Sequence, residues 1–119
     1  MIVLTNMRVT QTATLSAELA EQARQIGEKL ARLRIARGVR QVDAALRAGV
    51  SRNTAYRMEK GDPGLAVGQI LRYLDAIAPG KTLLNLLEET DASLSVLGQR
   101  EKRQRARGLS PAELKELDF

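Results

Sequence analysis

The side chains best suited to directional binding lie between residues 41 and 60. In a helix over residues 52–60, Ala55 and Met58 are three residues apart and are expected to point inward. The opposite face then carries the polar and basic residues Arg52, Asn53, Tyr56, Arg57 and Lys60. Guanidinium and amide groups form paired hydrogen bonds with planar acceptors, and lysine adds a point charge. This face suits a polar, negatively charged partner.

Catalytic and metal-binding chemistry has little support in this sequence. The 119 residues include no cysteine and no histidine. Residue type therefore excludes disulfides, thiolate and imidazole metal sites, cysteine nucleophiles and histidine-dependent triads. The carboxylates and lysines form no recognisable acid–base arrangement. We expect no catalytic residue, no metal and no cofactor, and hence a protein that is not an enzyme.

The positive charge is concentrated in one part of the chain. The formal net charge is +5, but between Arg24 and Lys60 ten basic residues stand against three acidic ones, a local charge of +7. A basic block inside a folded domain is typical of a protein with a polyanionic partner. A basic surface that only aids solubility is the alternative.

Composition favours a single helical domain. Hydrophobic residues make up 44% of the chain and aromatic residues only 3%, so a core of aliphatic side chains is expected, as in packed helices. No apolar run approaches the roughly 18 residues that span a bilayer, and residues 1–6 do not resemble a targeting leader. We expect an all-α, cytoplasmic protein that does not contact a membrane.

Apolar spacing predicts five helices. Ser16 is the expected N-cap of the first, which ends near Gly38, and Ser51 the expected N-cap of the third. The predicted spans are about 17–37, 41–48, 52–60, 67–77 and 81–90. The expected inward positions are Leu19, Ala23, Ile26, Leu30 and Leu33; Val42, Ala45 and Leu46; Ala55 and Met58; Ile70, Leu71, Leu74 and Ile77; and Leu83, Leu84 and Leu87.

The second and third predicted helices meet at a tight turn. Two helices that cross steeply need a small residue at their closest approach, which Ala45 supplies. The turn needs a residue that tolerates positive φ, which Gly49 supplies, and Val50 is an apolar plug for the corner. These features predict a helix-turn-helix.

With a basic first helix before it and Glu59-Lys60-Gly61 after it, this segment resembles the lambda-repressor-like, Xre-type family of DNA-binding domains over roughly residues 24–90. The resemblance implies that Gln41 contacts a phosphate and that the start and middle of the third helix read base edges. It also implies an ion pair between Arg34 and Glu59. The sequence departs from the family pattern at Ala55, where a branched apolar residue is usual, and at Tyr56, where a small polar one is common.

The resemblance implies a transcriptional regulator, most simply a repressor that binds a palindromic double-stranded operator as a homodimer. The expected base-reading residues are Arg52, Asn53, Tyr56 and Arg57, and the expected phosphate-binding residues are Arg40, Gln41, Ser51 and Lys60. For Tyr56, a phosphate or stacking contact is an alternative to base reading. By analogy, the chain also resembles the antitoxin of a toxin–antitoxin pair, with a toxin protein as partner. A helical interaction module without specific DNA binding is the alternative function.

The two ends are expected to lie outside the main domain, which we place at residues 16–97. Residues 1–15 form an N-terminal extension in which a short strand is expected. Residues 98–119 form a basic tail, mobile over 98–108, with a short helix predicted after Ser110. This tail is expected to be disordered, to cover the domain, to dock in a partner's groove, or to add nonspecific phosphate contacts.

Overall fold

A computed structural model of the protein describes residues 14–88 and 91–107. Six helices follow one another in those residues, and none of those residues is in a strand. They are α1 (Ala17–Ala36), α2 (Gln41–Ala48), α3 (Arg52–Glu59), α4 (Val67–Ile77), α5 (Leu83–Glu88) and α6 (Ala92–Arg107). The predicted all-α fold is confirmed. The strand expected near the N-terminus and the helix expected after Ser110 lie outside the described residues.

The helix ends follow from local sequence. The side chain of Ser16 accepts a hydrogen bond from the backbone N–H of Leu19 at 3.2 Å, which caps α1 as predicted. Gly49 ends α2 with φ +70°, the left-handed conformation that costs glycine little. The predicted bounds of α2 are those of the structure.

The core lies between α1 and the helix pair α2 and α4. α2 packs against both α3 and α4, while α1 packs against α3, α5 and α6. Leu30 and Leu33 of α1, Ala45 of α2, and Leu74 and Ile77 of α4 are all almost fully buried. Small side chains on α2 let α4 approach closely. α3, the second helix of the turn motif, therefore packs against a helix that is itself held firmly in the core.

Several predicted inward positions are wrong. Leu46 is 81% exposed, and Val42, Leu71, Leu84, Leu87 and Leu19 are also exposed. The buried stripe of α2 runs through Ala44, Ala45 and Ala48 instead, and Leu46 lies about 100° around the helix from Ala45. In α5 the leucines cover two faces, and the structure buries Leu86 rather than its neighbours.

The region after residue 97 also differs from expectation. α6 continues through Arg107, so residues 98–107, expected as a mobile charged tail, are helical. Leu97 is buried, and Glu101 forms an ion pair with Arg32 of α1 at 3.0 Å. The domain boundary near residue 97 stays a prediction. None of the described helices is both long enough and apolar enough to cross a membrane.

Candidate nucleic-acid interface

The turn between α2 and α3 has the predicted geometry. Ala45 is 2% exposed, and its carbonyl accepts a hydrogen bond from the N–H of Val50 at 3.0 Å. Val50 is partly buried and packs against the core. The corner is therefore closed by an apolar side chain, and the direction in which α3 leaves α2 is fixed.

α3 is held to the core by one face only. Ala55 is fully buried and Met58 is 3% exposed, as predicted. Arg52, Asn53 and Tyr56 lie on the exposed side of the helix. Three of the four predicted base-reading residues are thus presented together to solvent on a helix whose opposite face is packed.

A small pocket lies beside this exposed face. Gln41 at the start of α2 and Tyr56 and Lys60 at the end of α3 line a cavity of about 260 Å³ whose wall includes Ala31 of α1. The Lys60 Nζ atom lies 5.3 Å from the centre of the Tyr56 ring, within the range of a cation–π interaction. The structure therefore brings two predicted phosphate-binding residues next to one predicted base reader.

Arg57 is the fourth predicted base reader, and it is engaged elsewhere. Its Nε atom donates to an Asp62 carboxylate oxygen at 2.7 Å. The Gly64 N–H and then the Arg57 guanidinium lower the pKa of Asp62, so this carboxyl keeps its charge at neutral pH. This contact uses the Nε atom and therefore restrains the direction in which the Arg57 guanidinium points.

Arg40 and Ser51 also have partners within the chain. Arg40 is largely exposed, and its Nε atom donates to Asp43 at 3.1 Å. The Ser51 hydroxyl oxygen accepts from the Thr54 N–H at 3.0 Å, while the hydroxyl donates to the Thr54 side chain at 2.9 Å. Ser51 thus acts as the N-cap of α3, and its remaining capacity for a phosphate is small.

A buried ion pair fixes the end of α3. Two guanidinium nitrogens of Arg34 lie 2.6 Å and 2.9 Å from the Glu59 carboxylate oxygens, and the two side chains are 1% and 6% exposed. The third nitrogen of Arg34 donates to the Val39 carbonyl at 3.0 Å. The pair implied by the resemblance is confirmed, and it extends to the loop that leads into α2.

Sequence reasoning missed the third member of this cluster. Tyr73 of α4 is fully buried, and its hydroxyl donates a hydrogen bond to Glu59. Burial raises the pKa of the Tyr73 phenol far above its usual range, and the Glu59 carboxylate raises it further. Tyr73 lies four residues before the buried Ile77, and a tyrosine at a core position needs a polar partner, which was the available signal.

Sequence reasoning also missed a close contact between α1 and the backbone at the end of α3. A Cβ atom placed on Gly27 would lie 2.5 Å from the Gly61 nitrogen and 2.7 Å from the Met58 carbonyl oxygen. Gly27 is three residues before the buried Leu30, so its position within an apolar face was the available signal. This contact and the Arg34 pair together position α3 relative to α1.

One comparison with known proteins agrees with this geometry. Residues 25–87 match the profile of a helix-turn-helix domain, a span that includes α2, α3 and α4 and most of α1. A search of curated proteins and a search of solved structures each gave no match.

Proposed function

Since the chain belongs to the helix-turn-helix domain family, we propose that it is a sequence-specific DNA-binding regulator of transcription. It would act in the cytoplasm as a repressor of the lambda-repressor-like, Xre type. The single observation that carries this proposal is the presentation of α3. Arg52, Asn53 and Tyr56 face solvent, while Ala55 and Met58 anchor the helix.

The side-chain chemistry of α3 assigns each exposed residue a target. Arg52 would donate two hydrogen bonds to O6 and N7 of guanine, and Asn53 would pair with N6 and N7 of adenine. Tyr56 would contact a base or stack beside it. Arg57 would donate to a guanine through its terminal guanidinium nitrogens, because the Asp62 contact uses Nε.

Four other side chains would hold the backbone of the duplex. Gln41 and Lys60, which line the same cavity, would donate to phosphate oxygens beside the groove that α3 enters. Arg40 would exchange Asp43 for a phosphate. The Ser51 hydroxyl would donate to a phosphate by turning away from the Thr54 side chain.

A homodimer and a palindromic operator complete the proposal. Two copies related by a twofold axis would place two α3 helices about one turn of DNA apart, and the operator would mirror that symmetry. An antitoxin role is compatible with this arrangement, because an antitoxin of this kind binds both its operator and a toxin protein.

A helical interaction module without specific DNA binding is the second candidate. One observation favours it: Val42 and Leu46 lie one helical turn apart on α2, and Leu46 is 81% exposed. An apolar pair of this kind is better suited to a protein surface than to DNA phosphates.

Footprinting on the DNA directly upstream of the coding region tests the proposal. We expect a protected, twofold-symmetric site and an affinity at least about 1,000-fold higher than for a shuffled duplex of the same length and composition. Equal affinity for both duplexes would exclude a sequence-specific regulator and favour the interaction module. A toxin partner is tested by co-expressing the neighbouring reading frame with this chain and measuring whether the two co-purify.

A further inference from the structure

α6 is attached firmly to the rest of the domain. Asp91, directly before the helix, pairs with Arg37 at the end of α1. One helical turn past the buried Leu97, both Glu101 carboxylate oxygens accept hydrogen bonds from Arg32, at 3.0 Å and 3.1 Å. A two-bond arginine–carboxylate contact fixes orientation as well as distance. The C-terminal half of α6 is therefore held in a defined place.

The exposed surface of this half-helix is strongly basic. Its exposed basic side chains, here called the α6 basic surface, are Arg100, Lys102, Arg103 and Arg105. Glu101 is the acidic residue among them, and it is committed to Arg32. Within residues 14–88 and 91–107, none of these four cations has a carboxylate partner. The α6 basic surface thus carries positive charge that nothing described in the chain neutralises.

The helix α6 itself lies on the side of α1 next to the candidate interface. α6 runs antiparallel to α1, since Asp91 meets Arg37 and Glu101 meets Arg32. Arg32 directly follows Ala31, which lines the cavity with Gln41 and Lys60. Consecutive helical residues are about 100° apart, so the two sites occupy adjoining sides of one helix about 10–12 Å across.

We propose that the α6 basic surface binds the sugar-phosphate backbone of DNA that flanks the site read by α3. This inference rests on the proposed function and adds a second contact to it. The contact supplies affinity and no base specificity, because guanidinium and ammonium groups meet the same phosphates in every sequence. It also requires the duplex to extend beyond the base pairs that α3 contacts.

The test uses the full chain and two duplexes, one that ends at the operator and one with about 10 additional base pairs on each side. The variant Arg100→Gln/Arg103→Gln removes two charges from exposed positions. The variant Arg100→Lys/Arg103→Lys keeps both charges. The variant Ser95→Ala/Gln99→Ala is the matched control, because both residues are exposed and uncharged on the same helix. Affinity is measured against salt concentration for each protein.

We expect the wild-type chain to bind the longer duplex more tightly, with a steeper dependence of log affinity on log salt. The glutamine variant should lose this advantage, and its slope should decrease by about 0.9 for each lost phosphate contact. The lysine variant and the control should behave as wild type, and all variants should keep the wild-type melting temperature. An unchanged slope and length dependence in the glutamine variant would overturn this inference while leaving the proposed function intact. A wild-type chain that binds neither duplex at low salt would overturn both.

Discussion

Replacing Tyr73 with phenylalanine tests whether the buried cluster stabilises the fold. The substitution removes one hydroxyl from a fully buried ring and keeps the ring itself, so no large cavity forms. The hydroxyl donates to Glu59, whose carboxylate forms an ion pair with Arg34. A buried hydrogen bond to a charged group contributes about 1.5–3 kcal/mol. We expect Tyr73→Phe to lower the free energy of unfolding by about 2 kcal/mol.

The assay is thermal and urea-induced unfolding followed by circular dichroism at pH 7. For a domain of this size, a loss of about 2 kcal/mol corresponds to a melting temperature lower by roughly 8–16 °C. Tyr56→Phe is the matched control, because it deletes the same atom from a side chain that is 53% exposed. Its effect should stay within about 0.5 kcal/mol. If the two variants unfold at the same temperature, the hydrogen bond from Tyr73 to Glu59 does not stabilise the domain and the reasoning is refuted.

Three further predictions concern a close contact, a pH dependence and the proposed interface. Gly27→Ala should destabilise the protein by about 1–3 kcal/mol, because the new methyl group meets backbone atoms; Gly98→Ala, also in a helix but with open space around it, should stabilise it by up to about 1 kcal/mol. Equal melting temperatures for the two would refute the close contact. A neighbouring arginine holds the pKa of Asp91 well below its usual range. The resulting stability is present above the usual aspartate pKa of about 3.9 and is lost as pH falls toward the lower value in the folded state. Asp91→Asn should therefore lower the free energy of unfolding by about 1 kcal/mol at pH 7 and progressively less below pH 4. Urea unfolding of wild type and variant across this pH range measures the difference. A difference that stays constant with pH would contradict the prediction. Arg52→Ala should weaken operator binding by about 1–3 kcal/mol with little effect on random DNA, whereas Lys60→Ala should weaken both equally. Equal losses on both duplexes for Arg52→Ala would remove its assignment as a base reader.

The turn motif could be predicted from sequence because its requirements are local. Gly49 ends α2 through its own backbone conformation, and Ser51 caps α3 through a bond three residues along the chain. Ala55 and Met58 follow the helical period over a single turn. Each of these depends on neighbours within about five residues, so the spacing alone indicates them.

The features that sequence reasoning missed depend on distant partners. Tyr73 donates a hydrogen bond to Glu59, which lies fourteen residues earlier in the chain. Gly27 lies against Gly61, which lies thirty-four residues later. Leucine is usually buried, so sequence predicts Leu46 inward, but packing against α4 buries the alanines of α2 instead. The run of like charges in α6 predicts a tail, because neighbouring basic side chains repel one another. The ion pair that holds this helix joins Glu101 to Arg32, sixty-nine residues earlier, and the local sequence does not indicate it.

The buried cluster around Arg34 also determines how α3 can open. A helix of eight residues is marginal on its own, and its last turn would be expected to fray. Glu59 instead joins that turn to α1 through Arg34 and to α4 through Tyr73, so unwinding the end of α3 would leave the buried Arg34 guanidinium without its carboxylate partner. Amide hydrogens donated within this last turn should therefore exchange with solvent only when the whole domain unfolds, at rates that follow global stability. The short helix that faces the proposed DNA partner is in this respect as persistent as the core.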